Sequence, residues 1–155
     1  MKTIFVVDDT DSSLFLTEKA LEEYYRILTM PSAVKMFTLL EKIMPDLILL
    51  DVDMPEINGC EAIKILKSKP ETKDIPVILF SSNTGYDDKL EWLSLGAIDY
   101  ITKPFQPPLL LKRLEVHLPM AAQWRENTFL TDTMSYNRIP AQTEISTNQG
   151  NNEVY

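Results

Sequence analysis

A chain of 155 residues, 45% hydrophobic and 25% charged, has the length and composition of a soluble globular protein with one ordinary domain and a single core. Its formal net charge of −8 argues against direct nucleic-acid binding, which needs clustered Lys and Arg, and favours metal cations and basic protein faces as partners. Cys60 is the only cysteine, which excludes an intrachain disulfide, and the longest apolar runs fall well short of the roughly 18 residues of a membrane span. The few apolar residues before Asp8 are too short for a secretory signal, so a cytoplasmic chain without membrane contact is expected.

Thr3 to Val7 is a β-branched, apolar run that stops at Asp8-Asp9 and reads as a buried strand. The spacing of Leu14, Thr17, Leu21 and Tyr25 predicts a helix over Ser12 to Tyr25, with several N-caps available between Thr10 and Ser13. Arg26 to Met30 predicts a short second strand. Ala33 to Ile43 predicts a helix with Val34, Phe37, Leu40 and Met44 inward, ended by Pro45.

Leu47-Ile48-Leu49-Leu50 is then a third strand, apolar on both faces, whose run ends abruptly in Asp51-Val52-Asp53-Met54-Pro55. A helix from Gly59 to about Ser68 turns Ala62, Ile63 and Leu66 inward. Pro76 to Phe80 predicts a fourth strand ending at Ser81-Ser82. The next helix, about Asp87 to Leu95, is stopped by Gly96 at the C′ position. Placing Leu90 and Leu93 against the core leaves Trp92 on a solvated face, where it could anchor a partner or pack partly on itself. Ala97 to Ile101 predicts a fifth strand leading to Thr102-Lys103-Pro104, and Pro107 to about Leu118 a last helix with His117 at its exposed end.

Five strands alternating with five helices through short links imply an α/β fold: a five-stranded parallel sheet flanked by helices, in the flavodoxin-like order 2-1-3-4-5. The domain spans 1–119. From 120 to 155 the pattern fails, and the Asn-, Gln-, Thr- and Ser-rich stretch predicts a mostly flexible tail without an output domain. Trp124, Phe129, Leu130 and Met134 form either a short amphipathic segment or part of a poorly ordered extension.

In that order the first and third strands are neighbours, so Asp8, Asp9 and Asp51 gather at one crevice beyond the strands' C-terminal ends. Carboxylates in such proximity need a cation, and an all-oxygen donor set selects Mg²⁺, with Mn²⁺ as a substitute. Ser81 and Lys103 end the fourth and fifth strands at the same edge. A hydroxyl donor and an ammonium beside a metal-bound carboxylate suit an incoming phosphoryl group, with Asp51 as nucleophile and an aspartyl phosphate as product. Each residue also has a plain role: Asp51 and Asp53 opening a turn before Pro55, Asp8-Asp9 capping a helix, Ser81 in a turn, Lys103 as solvated charge.

Four pieces of the chain, in order, carry a resemblance: Val6-Val7-Asp8-Asp9; Leu49 to Pro55 followed by Asn58-Gly59; Pro76 to Ser82; and Asp99-Tyr100-Ile101-Thr102-Lys103-Pro104-Phe105. Together they resemble the response-regulator receiver domain of two-component signalling, over residues 1 to about 118. The resemblance implies that Asp51 accepts the phosphoryl group from a histidine kinase or histidine phosphotransfer protein. It implies that Asp9 binds Mg²⁺ directly, Asp8 largely through water, and Asp53 through its backbone carbonyl. It further implies that Ser81 and Lys103 contact the phosphoryl oxygens, and that Tyr100 swings inward as Ser81 is drawn toward them. That swing would alter the surface of the fourth helix, fifth strand and fifth helix, where a downstream protein binds. Asp53 and Asn83 match flanking positions that modulate the lifetime of the phosphorylated form.

Two other functions fit parts of the chain. A haloacid-dehalogenase-type phosphatase also uses Asp-x-Asp after an apolar strand, as in Asp51-Val52-Asp53, but expects it on the first strand and without Pro55. A pseudo-receiver adaptor that binds a partner without phosphorylation has no use for the acid, Ser and Lys set.

Overall fold

The computed structural model describes residues 1–82 and 85–118, which form one compact unit; residues 83–84 and 119–155, including Asn83 and the predicted tail, lie outside the described residues. The elements alternate along the chain: β1 (Thr3–Val7), α1 (Asp11–Leu21), β2 (Arg26–Met30), α2 (Ala33–Leu40), β3 (Leu47–Asp51), α3 (Gly59–Ser68), β4 (Val77–Ser81), α4 (Tyr86–Ser94), β5 (Asp99–Thr102) and α5 (Pro107–His117). All strand pairs are parallel, in the order β2-β1-β3-β4-β5. Among the described residues no helix is long and apolar enough to cross a membrane.

Every residue of β1, β3 and β4 is buried, because each strand has neighbours on both edges and helices on both faces. Successive side chains point to opposite faces, which divides the core in two. Phe5, Val7, Ile48, Leu50, Val77 and Leu79 pack with Met36 of α2, Ala62, Ile63 and Leu66 of α3, and Trp92 of α4. The alternate residues Ile4, Val6, Leu49, Ile78 and Phe80 are equally buried on the opposite face, where α1 and α5 meet. Truncating one such side chain, Leu49→Ala for example, removes about 2–5 kcal/mol.

The register brings the functional ends of the strands level. Val7 pairs with Leu50, Asp51 with Phe80 and Ser81 with Thr102, so Asp8, Asp51, Ser81 and Lys103 leave the sheet at one edge.

Several helix faces differ from expectation. In α4, Trp92 is buried at 3% exposure, whereas Leu90 and Leu93 are 49% and 42% exposed. Apolar residues at 90, 92, 93 and 95 fit either helical phase, and the larger area of the indole decides it: Trp92 and Leu95 turn to the core. In α2 the inward residues are Ala33 and Met36, with Phe37 and Leu40 partly covered, and Val34 and Met44 lie outside. That is a phase rotated by about one residue. Helix α2 also ends at Leu40, before Ile43, and α1 ends at Leu21, although Tyr25 still reaches the core from the following turn. His117 is tied to Asp99 of β5 at 3.1 Å, instead of standing alone at an exposed helix end. Gly96 has φ 114° and follows the C-cap Leu95, as a C′ glycine should.

Candidate functional site

The site is assembled from three sharp chain reversals at the C-terminal edge of the sheet. After β1, Asp8 turns the chain into α1: its Oδ1 accepts from the Thr10 backbone N–H at 3.0 Å, and its Oδ2 accepts from the Ser13 hydroxyl. After β3, the backbone of Asp51 and Val52 runs directly against the start of α3. The Gly59 N–H donates to Val52 O at 2.9 Å, and a Cβ on Gly59 would lie 2.5 Å from Asp51 O. Only glycine permits that approach. Asn58 and Glu61 then close a reciprocal capping box that starts α3. After β5, Lys103 precedes Pro104 across a cis peptide, and Phe105 stacks on Phe80 with centroids 5.7 Å apart.

Asp8, Asp9 and Asp51 present carboxylate oxygens within 4.8 Å of one another. Asp8 is 1% and Asp51 3% exposed, while Asp9 faces solvent. Lys103 reaches into the cluster, its Nζ 2.8 Å from Asp8 Oδ2 and 3.4 Å from Asp51 Oδ1. One ammonium therefore faces three acids.

The titration behaviour follows from that imbalance. Burial, then the neighbouring Asp8 charge, push Asp51 up to about 6, against the opposing pull of Lys103 and the Asp53 N–H. Burial would raise Asp8 as well, but hydrogen bonds from Lys103, Ser13 and Thr10 more than offset it and hold Asp8 below the usual carboxylate range. Lys103 would be lowered by burial, yet Asp8 and Asp51 together keep it above the usual ammonium value.

Ser81 is buried beside the cluster and donates to Asp53 Oδ2 at 3.4 Å, while the Asp53 N–H donates to Asp51 Oδ1 at 3.3 Å. A cleft of about 460 Å³ opens beside Lys103, with Ser13, Leu16, Ser82 and Phe105 in its walls. Asp8, Asp9, Asp51, Asp53, Ser81 and Lys103 are thus brought together. Tyr100 is not part of this cluster. It lies on β5 against α4, packed edge-on to Trp92.

Ser13, which secures Asp8, was legible only as one of several candidate caps. The anchoring of Asp99 by Arg113 at 2.7 Å and by His117 is a further feature that strand and helix patterns do not reveal. With burial opposing, those contacts and the Tyr100 N–H lower the Asp99 carboxyl from its ordinary value.

Comparison with known proteins agrees with this architecture. Residues 4–115 match the profile of the response regulator receiver domain. The chain is 37% identical over 112 residues to the response regulator PleD of Caulobacter vibrioides, an alignment covering 72% of this chain and 25% of PleD. It spans between about a quarter and about half of the length of the curated relatives it matches. The Vibrio cholerae chemotaxis protein CheY4 superposes with a TM-score of 0.72 at 28% identity, over 76% of this chain and 99% of CheY4. The receiver domain of the sensor histidine kinase PA1611 from Pseudomonas aeruginosa, solved with a magnesium ion coordinated in its active-site cleft, shares the fold at 23% identity and a TM-score of 0.70, over 77% of this chain and 98% of that domain. With the matched residues covering most of the chain and all but the first residue of the sheet, the protein belongs to the response regulator receiver domain family, the signalling domains of two-component systems.

Proposed function

We propose that Asp51 accepts a phosphoryl group from a phosphohistidine of a histidine kinase or histidine phosphotransfer protein. The observation that carries this reading is the convergence of Asp8, Asp9 and Asp51 on one crevice with Lys103 between the buried pair. An Asp51 carboxylate oxygen attacks phosphorus, the phosphorus–nitrogen bond breaks, the donor imidazole departs, and an acyl phosphate remains on Asp51. Lys103 is close enough to Asp51 to meet the equatorial oxygens, and the Ser81 hydroxyl donates to the same group once it leaves Asp53.

Three oxygen-donor acids facing one ammonium suit a hard divalent cation and no softer metal. Asp9, Asp51 and the Asp53 carbonyl would hold Mg²⁺ or Mn²⁺, with Asp8 acting largely through water, and the ion would supply neutralisation of the phosphoryl charge.

The signal leaves through Tyr100, which moves inward as Ser81 is drawn to the phosphoryl group, and so changes the face formed by α4, β5 and α5. The exposed Leu90, Leu93, Ile98 and Val116 give that face the apolar surface a protein target needs. Asp53, already touching Ser81, and Asn83 set how long the acyl phosphate survives. The receiver occupies residues 1–119, with 120–155 as an appended tail. Acetyl phosphate with Mg²⁺ should label the chain with no more than one phosphoryl group, with further consumption limited to the decay of the acyl phosphate. Lys103→Ala and Ser81→Ala should slow the labelling at least tenfold, and unchanged rates in both would overturn the assigned roles.

A further inference from the structure

The ring of Tyr100 is held between two side chains of α4. Trp92 meets it edge-on, with centroids 6.2 Å apart and planes at 63°, and Lys89 Nζ lies 5.0 Å from the ring centroid. Lys89 and Trp92 are three residues apart, so both project from one side of the helix. Trp92 is buried in the core and forms a fixed wall. Lys89 is half-buried, and among the described residues it forms no ion pair, so the aromatic ring is the charge partner it has there.

We infer that Lys89 is a positioning residue for the Tyr100 switch: by cation–π attraction it holds the ring in its resting position against Trp92, and inward movement of the ring releases the ammonium. The inference rests on the proposed response of Tyr100 to phosphorylation. Because Trp92 is enclosed, the ring moves past a rigid neighbour and a mobile one, and only the mobile one can act as a latch. Lys89 also lies one helical turn from the exposed Leu93, so its release places a free cation beside the apolar surface offered to the target. One ring movement would thereby change the shape of that face and free the Lys89 ammonium upon it. Loss of the attraction should shift the ratio of the two ring positions about two- to fivefold toward the inward one.

The test is NMR of the full chain with ring-¹³C tyrosine, the Tyr100 signal assigned through Tyr100→Phe. Spectra are recorded with Mg²⁺, before and after addition of beryllofluoride as a phosphoryl analogue. Lys89→Met removes the charge and keeps an apolar stem, and Lys89→Arg restores a cation. In the wild type the Tyr100 signal should move on adding beryllofluoride. In Lys89→Met it should lie part of the way there beforehand, and in Lys89→Arg it should return to the wild-type position. A resting signal unchanged in Lys89→Met, with the beryllofluoride response intact, overturns the latch and leaves the switch standing. A Tyr100 signal insensitive to bound beryllofluoride in the wild type overturns the switch, and the latch with it.

Discussion

Lys103 sits closer to Asp8 than to Asp51, 2.8 Å against 3.4 Å, so the one ammonium in the crevice leans away from the acid proposed to react. Burial, and then the charge of Asp8, hold the Asp51 proton to about 6, while hydrogen bonds from Lys103, Ser13 and Thr10 outweigh burial at Asp8 and release its proton below the usual range. The same asymmetry keeps Asp51 within reach of Lys103 without neutralising it.

Removing that ammonium should therefore be costly without a metal. Lys103→Met leaves two buried carboxylates facing each other and should destabilise the metal-free protein at pH 7 by about 3 kcal/mol. Added Mg²⁺ should restore much of the loss. Thermal melts in EDTA and in Mg²⁺ check both parts.

Asp51 should oppose folding at neutral pH. Its pKa is raised from 3.8 to about 6, so the folded state holds a proton that the unfolded chain has already released between those values. The contribution of Asp51 to stability then falls as pH rises from about 4 to about 6, and its deficit is complete above that window. Asp51→Asn removes the deficit: in EDTA it should be near wild-type stability at pH 4 and up to about 3 kcal/mol more stable at pH 7. Denaturant titrations across that range measure the difference, and Mg²⁺ should shrink it.

Gly59 positions Asp51 through the backbone. A methyl group there would meet Asp51 O at 2.5 Å and Val52 Cα at 2.8 Å, neither of which can swing aside. Gly59→Ala should cost about 1–3 kcal/mol and slow labelling from acetyl phosphate, whereas Lys64→Ala on the exposed side of α3 should do neither. Parallel melts and labelling time courses separate the two effects.

Trp92 should behave as a core residue. In a Trp124→Phe background its fluorescence should resist iodide quenching, and Trp92→Ala should cost about 3–5 kcal/mol. Quenching at the rate of a free indole would contradict its placement.

The strands and the sheet edge that carries the site were readable because they rest on uninterrupted apolar runs that end in polar residues, while the strand order followed from the usual arrangement of five alternating units. Leu47 to Leu50 before Asp51, and Val77 to Phe80 before Ser81, leave few alternatives for where the sheet stops. Helix phase was less legible. Where apolar residues crowd both sides of a helix, as from Leu90 to Leu95, spacing does not choose the inward side, and the area the Trp92 indole buries in the core does. Long-range polar contacts such as Asp99 with Arg113 and His117 leave no periodic trace, since they depend on how β5 and α5 come to lie together.

Asp51, and no other acid in the crevice, is proposed to carry the phosphoryl group. Intact-mass measurement after acetyl phosphate and Mg²⁺ tests it most directly in the wild type, Asp51→Asn and Asp53→Asn. One phosphoryl group per chain is predicted in the wild type and in Asp53→Asn, and none in Asp51→Asn. A phosphoryl group retained by Asp51→Asn, or a wild-type mass that does not change, would overturn that assignment.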